Sequence, residues 1–549
     1  MAIKPQLPPS RNTGCYPSKD FSKVLILGGD NYAFRLVERL CEEGFVVIYC
    51  GKLARDTMLG KNIENVQVIA NGVLKSITGV IGAFHAFIES PHGPIEIEAG
   101  FLVVVQPPVI LPKFEDYGVK PGDHVVALSS FLEDLRSGKN RLSEKSGPRH
   151  VAFFVGMDGA ADTVAFAKVF DCIDILLTHG SAQCHVFTRH VKVAEDGLEA
   201  RYRSIREQGT LFFAFEDHSP VVEQTFDGAK IVFSEPHLSS EFELNCDLLV
   251  IDEKLMPPES VPHISEMIPS SFHSKPYLTP ASPRYPGVST AKVGVFAVGA
   301  ARGEFYPSKI EDDIESVVGS IKKIIRIIES GGSGFVASVE PSTCTLCLTC
   351  VRICPHGAID FGLSARVDRD ACLGCGICAS ECPMRSIGLT SRKIQSDNNS
   401  VVLPCGIQLA ANPESKIVAF LCEHSAANAY AELSAAFKAL VNPIIVPCAG
   451  AVGEVDIIQA LLEGAKGVIV AGCFPGNCAS VYGTNRAGHR VQRVREILVE
   501  TGLTPHSLIF VQSASNMPLS LASAIEELSR ASEWRTTKEA HQRACHESQ

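Results

Sequence analysis

Two short cysteine runs carry the clearest chemistry in the chain. Cys344, Cys347, Cys350 and Cys354 precede Pro355, and Cys372, Cys375, Cys378 and Cys382 precede Pro383; each run reads C-x2-C-x2-C-x3-C-P, offset by 28 residues. Two-residue gaps let a tight loop aim three thiolates at three corners of a cube, with backbone N–H groups turned towards the sulfurs. In runs of this kind the fourth cysteine ligates the other cluster. The expectation is one [4Fe-4S] cluster on Cys344, Cys347, Cys350 and Cys382, and a second on Cys372, Cys375, Cys378 and Cys354. A pair of zinc ribbons is the competing reading, but tetrahedral C-x2-C sites do not usually use a third thiolate at this spacing.

Four further cysteines are placed by the elements that precede them. Residues 416–421, 443–447, 467–472 and 507–512 read as buried strands, separated by helix-like stretches at about 426–440, 454–464 and 486–500. Cys422, Cys448 and Cys473 each follow the last apolar residue of a strand, so in a parallel sheet they share its C-terminal edge. Cys478 adds a fourth thiol from the adjoining loop. Beside the upstream runs, a [2Fe-2S] cluster fits these four better than zinc, and inert buried thiols are the alternative. Cys405 is a spare that either substitutes for one of them or faces the linker. Arg486, Arg490, Arg493 and Arg495 on the last helix read as a receiver for an acidic partner or as a solvated face.

Bulk composition fits this picture. The 549 residues suffice for roughly three domains. Of the 20 cysteines, six lie before residue 340 and eight between 344 and 382. The formal charge is -11, with no basic stripe interleaved with aromatics, so no nucleic-acid footprint is present. No run of 18 apolar residues marks a transmembrane segment. The first residues lack an apolar leader, so the expectation is a reducing cytoplasm, where disulfides do not persist. Cys15, Cys41, Cys50, Cys172, Cys184, Cys246, Cys405 and Cys545 have no assigned role. No Ser/His/Asp set, H-E-x-x-H motif or adjacent cysteine pair appears.

The rest of the chain alternates β and α. Apolar runs 23–27 and 45–49 flank a Gly-rich turn and a helix, and 150–155, 184–188, 210–214 and 247–251 read as a further set of parallel strands. After Pro307, Ser308 and Glu311 form a capping box for a helix whose isoleucines recur at helical spacing until Gly331.

The segment 416–515, with Cys422-Glu-His-Ser, Pro-Cys448-Ala-Gly, Gly-Cys473-Phe-Pro-Gly-Asn-Cys478 and Gly483-Thr-Asn485, resembles the delta subunit of methyl-viologen-reducing hydrogenase, a [2Fe-2S] electron-transfer module. That family often has C-x-W-C at its first site; here Ser425 replaces the second cysteine, which makes all four remaining thiols necessary. Residues 20–390 resemble the flavin-carrying A subunit of heterodisulfide reductase, with Gly294-Val-Phe-Ala-Val-Gly299 similar to a segment beside its flavin. The same order of parts occurs in the B-type subunit of quinone-interacting oxidoreductases and in subunits of class II benzoyl-CoA reductase complexes.

The resemblance implies an α/β chain: a flavin-reductase-like Rossmann region, a bacterial-type 2[4Fe-4S] ferredoxin domain and a small parallel α/β domain. The expected boundaries are a tail over 1–20, the flavin-type region over 21–332 with a second Rossmann-like part at about 150–255, the ferredoxin domain over 335–392, the delta-like domain over 415–528 and a tail over 529–549. FAD would be held at Gly28, Gly29, Ala33 and Gly299. Yet the loop reads Gly28-Gly29-Asp30-Asn31-Tyr32-Ala33: Asp30 takes the second-glycine position, Gly51 stands where a ribose-binding acid belongs, and Gln106-Pro107-Pro108 replaces an Ala-Thr-Gly segment. The segment Gly156-Met-Asp-Gly-Ala160 is a weak nucleotide loop. The function implied is electron transfer in an anaerobic complex, linking a hydrogenase, formate dehydrogenase or other dehydrogenase to a reductase. The alternative is an FAD-containing component that splits electron pairs.

Overall fold

The computed structural model describes residues 19–52, 65–139, 149–157, 163–178, 182–215, 220–235, 240–268, 277–278, 280–281, 287–330, 334–391 and 417–530. They form two compact units, one of 108–259 with 303–310 and one of the remaining segments.

In the larger unit the N-terminal sheet is parallel, with spatial order Val295–Val298, Phe101–Val105, Lys23–Gly28, Val46–Gly51, Val66–Ala70. Numbered along the chain this is 5-4-1-2-3, the Rossmann order. All five residues of Phe101–Val105 are buried, as expected of a strand covered on both faces. Helix Asn31–Glu42 packs Ala33, Leu36, Val37 and Leu40 inward. An antiparallel sheet of Val73–Val80, Ala83–Ser90 and Gly93–Ala99 was not anticipated from the sequence. Its strands alternate buried and exposed residues, a weaker signal than a continuous apolar run.

The smaller unit also holds a five-stranded parallel sheet, ordered Leu211–Ala214, Ala182–Thr188, Arg149–Val155, Leu248–Ile251, Val125–Ala127. It begins near residue 108 rather than 150, because Val125–Ala127 and helix Leu128–Arg136 belong to it. Helix Pro307–Glu329 starts one residue earlier than expected. Ser308 therefore lies inside the helix and no capping box forms; Glu304 instead accepts from the N–H groups of Phe305 and Tyr306, both at 3.1 Å.

The eight-cysteine domain, in the larger unit, is two short helices, Thr349–Ile353 and Ile377–Ser380, a hairpin of Ile359–Phe361 with Ala365–Val367, and an antiparallel ribbon of Phe335–Val339 with Ile387–Ser391. The C-terminal sheet of the same unit is parallel, ordered Val441–Val446, Ile417–Cys422, Gly467–Gly472, Leu508–Gln512. That order, 2-1-3-4, is flavodoxin-like, and its switch point lies between Ile417–Cys422 and Gly467–Gly472. Helices Glu454–Leu462 and Gly483–Glu500 contribute to the core beside it, and residues 518–530 form a last helix.

Candidate iron–sulfur sites

The two cysteine runs fold as near copies. Backbone φ is positive at Leu346 and Leu348, and again 28 residues on at Gly374 and Gly376; Gly357 and Arg385 form a third such pair. An L-residue costs about 1–2 kcal/mol in that region, so the loop shape is imposed at Leu346 and Leu348 against local preference. The shape turns amides towards sulfur. Ala358 N–H donates to Cys354 Sγ (3.4 Å) and its counterpart Ser386 N–H to Cys382 Sγ (3.3 Å), while Ala337 and Gly374 both donate to Cys372 Sγ at 3.4 Å. Such donors stabilise thiolate charge.

The structure brings the cysteines together in the crossed arrangement. Cys344, Cys347, Cys350 and Cys382 line one cavity, and Cys354, Cys372, Cys375 and Cys378 line another. Among the described residues no three metal-binding side chains gather tightly enough for a single ion. The first set is the more accessible, with Cys347 exposed. In the second set, burial pushes the Cys375 thiol up to about 12 and the Cys378 thiol well above its ordinary value.

The four C-terminal thiols meet at the switch point of their sheet. Cys422 ends its strand, Cys473 follows Gly472, and their sulfurs are 3.7 Å apart; Cys448 and Cys478 are 3.9 Å apart. Two thiolates about 2.3 Å from one tetrahedral metal stand about 3.8 Å from each other. All four are buried. Within each close pair one thiol is pushed down by its neighbour and the other up: Cys422 down and Cys473 up, Cys478 down and Cys448 up. Gly483 begins the helix beside them, and a Cβ there would strike Cys448 Sγ. Cys405 lies outside the described residues.

This site abuts the second [4Fe-4S]-type set. Cys375 packs against the core that contains Cys422, Cys448, Cys473 and Cys478. A Cβ on Gly376 would come within 2.6 Å of Ala451 Cβ, and one on Gly450 within 2.8 Å of Ile377 Cγ1. Tyr482 donates its hydroxyl to the Ile353 carbonyl, and Ser380 Oγ donates to Gly450 O at 2.8 Å. The arginine run proves to be neither solvated nor open to a separate acidic partner at its centre. Arg490 is 1% exposed and pairs with Glu381 at 2.5 Å, Arg486 approaches the same carboxylate at 3.4 Å, and Arg495 donates to Leu508 O. Arg490 falls on the helix stripe of Ala487, Val491 and Val494, and that periodicity was the signal in the sequence.

The loop read as a dinucleotide site has a different use. Asp30 caps helix Asn31–Glu42 by accepting from Ala33 N–H at 3.0 Å, placing a carboxylate where a diphosphate would need that helix N-terminus. The glycines at this turn are held close to their neighbours. A Cβ on Gly28 would meet Ala33 Cβ at 2.6 Å and the Tyr49 ring at 2.7 Å, and Pro107 stands 3.0 Å from the Cβ position of Gly29. Gly299 N–H is bonded to Asp313 Oδ2 at 3.0 Å. The Asp30 carboxylate is thus an unfavourable neighbour for the diphosphate of FAD at this helix N-terminus. In the smaller unit, Gly156 N–H is likewise bonded to Asp252 at 2.7 Å.

The fold and the three thiol sets define an iron–sulfur redox protein with a Rossmann-type fold in its N-terminal half. Residues 417–532 match the family model for the delta subunit of methyl-viologen-reducing hydrogenase, and residues 341–393 the LdpA Fe-S cluster-binding domain. The iron-sulfur D subunit of the vhu F420-non-reducing hydrogenase of Methanopyrus kandleri is 34% identical over 124 residues, 22% of this chain and 94% of that relative. Through this segment the chain belongs to the hydrogenase delta-subunit family, fused behind a part like the heterodisulfide reductase A subunit. The A subunit of ferredoxin:CoB-CoM heterodisulfide reductase from Methanosarcina mazei is 28% identical over 294 residues, 51% of this chain. The chain spans only 36–40% of the length of the first such relatives. Thioredoxin reductase of T. acidophilum is similar over 55% of this chain and 97% of its own at 12% identity, with a TM-score of 0.36.

Proposed function

We propose that the chain is the electron-transfer subunit of a cytoplasmic anaerobic oxidoreductase complex, with two [4Fe-4S] clusters and one [2Fe-2S] cluster. Cys344, Cys347, Cys350 and Cys382 would hold the first, Cys372, Cys375, Cys378 and Cys354 the second, and Cys422, Cys448, Cys473 and Cys478 the third. The clusters supply one-electron redox chemistry when bound. The residues present position them: amides donate to the thiolates, and burial excludes water from the second and third sites.

The observation that carries this reading is the packing of Cys375 into the core that holds the four C-terminal thiols. It gives the relay an order: C-terminal site, then the Cys354/Cys372/Cys375/Cys378 site, then the more accessible Cys344/Cys347/Cys350/Cys382 site. A hydrogenase, formate dehydrogenase or other dehydrogenase would serve as one partner, and the other would be a reductase. No helix among the described residues is long and apolar enough to cross a membrane.

Cys473→Ser tests the assignment. It should remove a [2Fe-2S] EPR signal and leave two [4Fe-4S] signals; an unchanged spectrum would show that Cys473 is no ligand. The alternative, an FAD-containing component that splits electron pairs, follows from kinship with the heterodisulfide reductase part, but the loop at Gly28, Gly29 and Ala33 does not favour it. Stoichiometric flavin released on denaturing the anaerobically purified protein would restore that alternative.

A further inference from the structure

Two hydroxyls beside the C-terminal thiols have nothing to bond. Ser425 is 2% exposed and Thr484 1%, and neither Ser425 Oγ nor Thr484 Oγ1 has a hydrogen-bond partner among the described residues. A buried hydroxyl left unpaired costs about 1–3 kcal/mol. Two at one site point to an acceptor that the protein atoms alone do not provide.

Ser425 lies three residues after Cys422, at the start of helix Ala426–Ala431, and its hydroxyl is near enough to Cys422 and Cys473 to favour the thiolate form of each, against the larger effect of Cys422 that holds Cys473 up. Thr484 sits in the first turn of helix Gly483–Glu500. Its backbone N–H donates to Cys478, and its Oγ1 is 3.1 Å from the Cβ position of Gly472, the residue before Cys473. The two hydroxyls thus come from different helices, each of which starts beside a cysteine of the site.

We infer that Ser425 and Thr484 are the hydrogen-bond donors that set the reduction potential of the C-terminal cluster. This rests on the proposal that the four thiols hold a [2Fe-2S] cluster. Reduction adds negative charge to the cluster, and donors to its sulfurs stabilise that charge and raise the potential. Ser425 stands at the position where the delta-subunit family often has a cysteine; in this chain the residue contributes a donor in place of a thiolate.

The test is an anaerobic redox titration of the full chain followed by EPR, on the wild type, Ser425→Ala, Thr484→Val and the hydroxyl-retaining Thr484→Ser. Each donor-less variant should keep the [2Fe-2S] signal and show a lower midpoint. At the wild-type midpoint its reduced-to-oxidised ratio should fall about tenfold, equivalent to about 59 mV for a one-electron couple, and Thr484→Ser should return to the wild-type value. Midpoints unchanged in both Ser425→Ala and Thr484→Val, with the signal intact, would overturn the inference. Loss of the signal in either would also overturn it, because it would make that residue necessary for assembly rather than for tuning. A wild type that shows no [2Fe-2S] signal fails earlier and differently, since it removes the cluster itself.

Discussion

Arg490 donates to Glu381 across the join between the C-terminal sheet domain and the eight-cysteine domain, from a position that is 1% exposed. Its remaining donors reach the carbonyls of Val452 (2.8 Å) and Gly450 (2.6 Å), in the loop that follows Cys448. Glu381 immediately precedes Cys382. One guanidinium therefore fixes the loop of one thiol site against the chain leading into another, and its planar fork suits three acceptors better than an ammonium would.

Removing one partner of a buried pair leaves the other charge uncompensated, at about 3–5 kcal/mol. Arg490→Ala should lower stability by about that much, because two carbonyls also lose their donor. Arg493 pairs with Glu454 at half exposure, so Arg493→Ala should change stability by no more than about 0.5 kcal/mol. Anaerobic denaturant titration of the two variants measures the contrast; equal losses would show that the Arg490 pair does not join the domains.

Gly483→Ala sets two effects against each other. Alanine favours an exposed helix interior by about 1 kcal/mol over glycine, but here a Cβ collides with Cys448 Sγ and comes within 3.4 Å of Cys478 Sγ. The collision should win. The variant is expected to lose or strongly alter the [2Fe-2S] EPR signal while both [4Fe-4S] signals persist, and an unchanged signal would mean that the Cys448 loop can move aside.

The crossed assignment predicts which variants behave alike. Cys382→Ser should disturb the same [4Fe-4S] signal as Cys344→Ser, and Cys354→Ser the same signal as Cys378→Ser. EPR of the four reduced variants decides this. Pairing by sequence run, with Cys354 grouped with Cys344, would contradict the shared cavities.

Lys292 gives a pH signature. It is 7% exposed, its ammonium lies over the Phe84 ring at 5.3 Å, and burial pushes it down to about 8 from 10.5. Because the folded value is the lower one, the unfolded chain binds more protons between pH 8 and 10.5, and this group's contribution to stability rises across that window. Below pH 8 its penalty is fully present. Lys292→Met should therefore stabilise the protein at pH 7 by on the order of 2 kcal/mol and flatten the pH dependence between 8 and 10.5. Thermal melts at pH 7 and pH 9.5 check both, and a destabilised Lys292→Met at pH 7 would contradict the account.

Much of this was legible from residue types alone. The repeated cysteine spacing gave the crossed sets, and apolar runs ending in Cys422, Cys448 and Cys473 gave a parallel sheet with thiols on one edge, because buried strands write themselves as continuous apolar stretches. The antiparallel sheet of 73–99 escaped notice, since its half-exposed strands carry charges between apolar residues. Ser425 stood out in the sequence only as a missing cysteine and Thr484 not at all, because a hydroxyl is ordinary in sequence and becomes anomalous only when burial leaves it without a partner. Arg490 was read with its neighbours as one charged run. Only the fold separates the single arginine that points inward.

Whether one chain holds three clusters in a relay is decided by iron, acid-labile sulfide and zinc analysis of the anaerobically purified wild type, with EPR spin quantification after full reduction. The account predicts iron and sulfide sufficient for two four-iron clusters and one two-iron cluster, three reducible paramagnetic centres per chain, and no stoichiometric zinc. Stoichiometric zinc with little labile sulfide, or only two reducible centres, would contradict it.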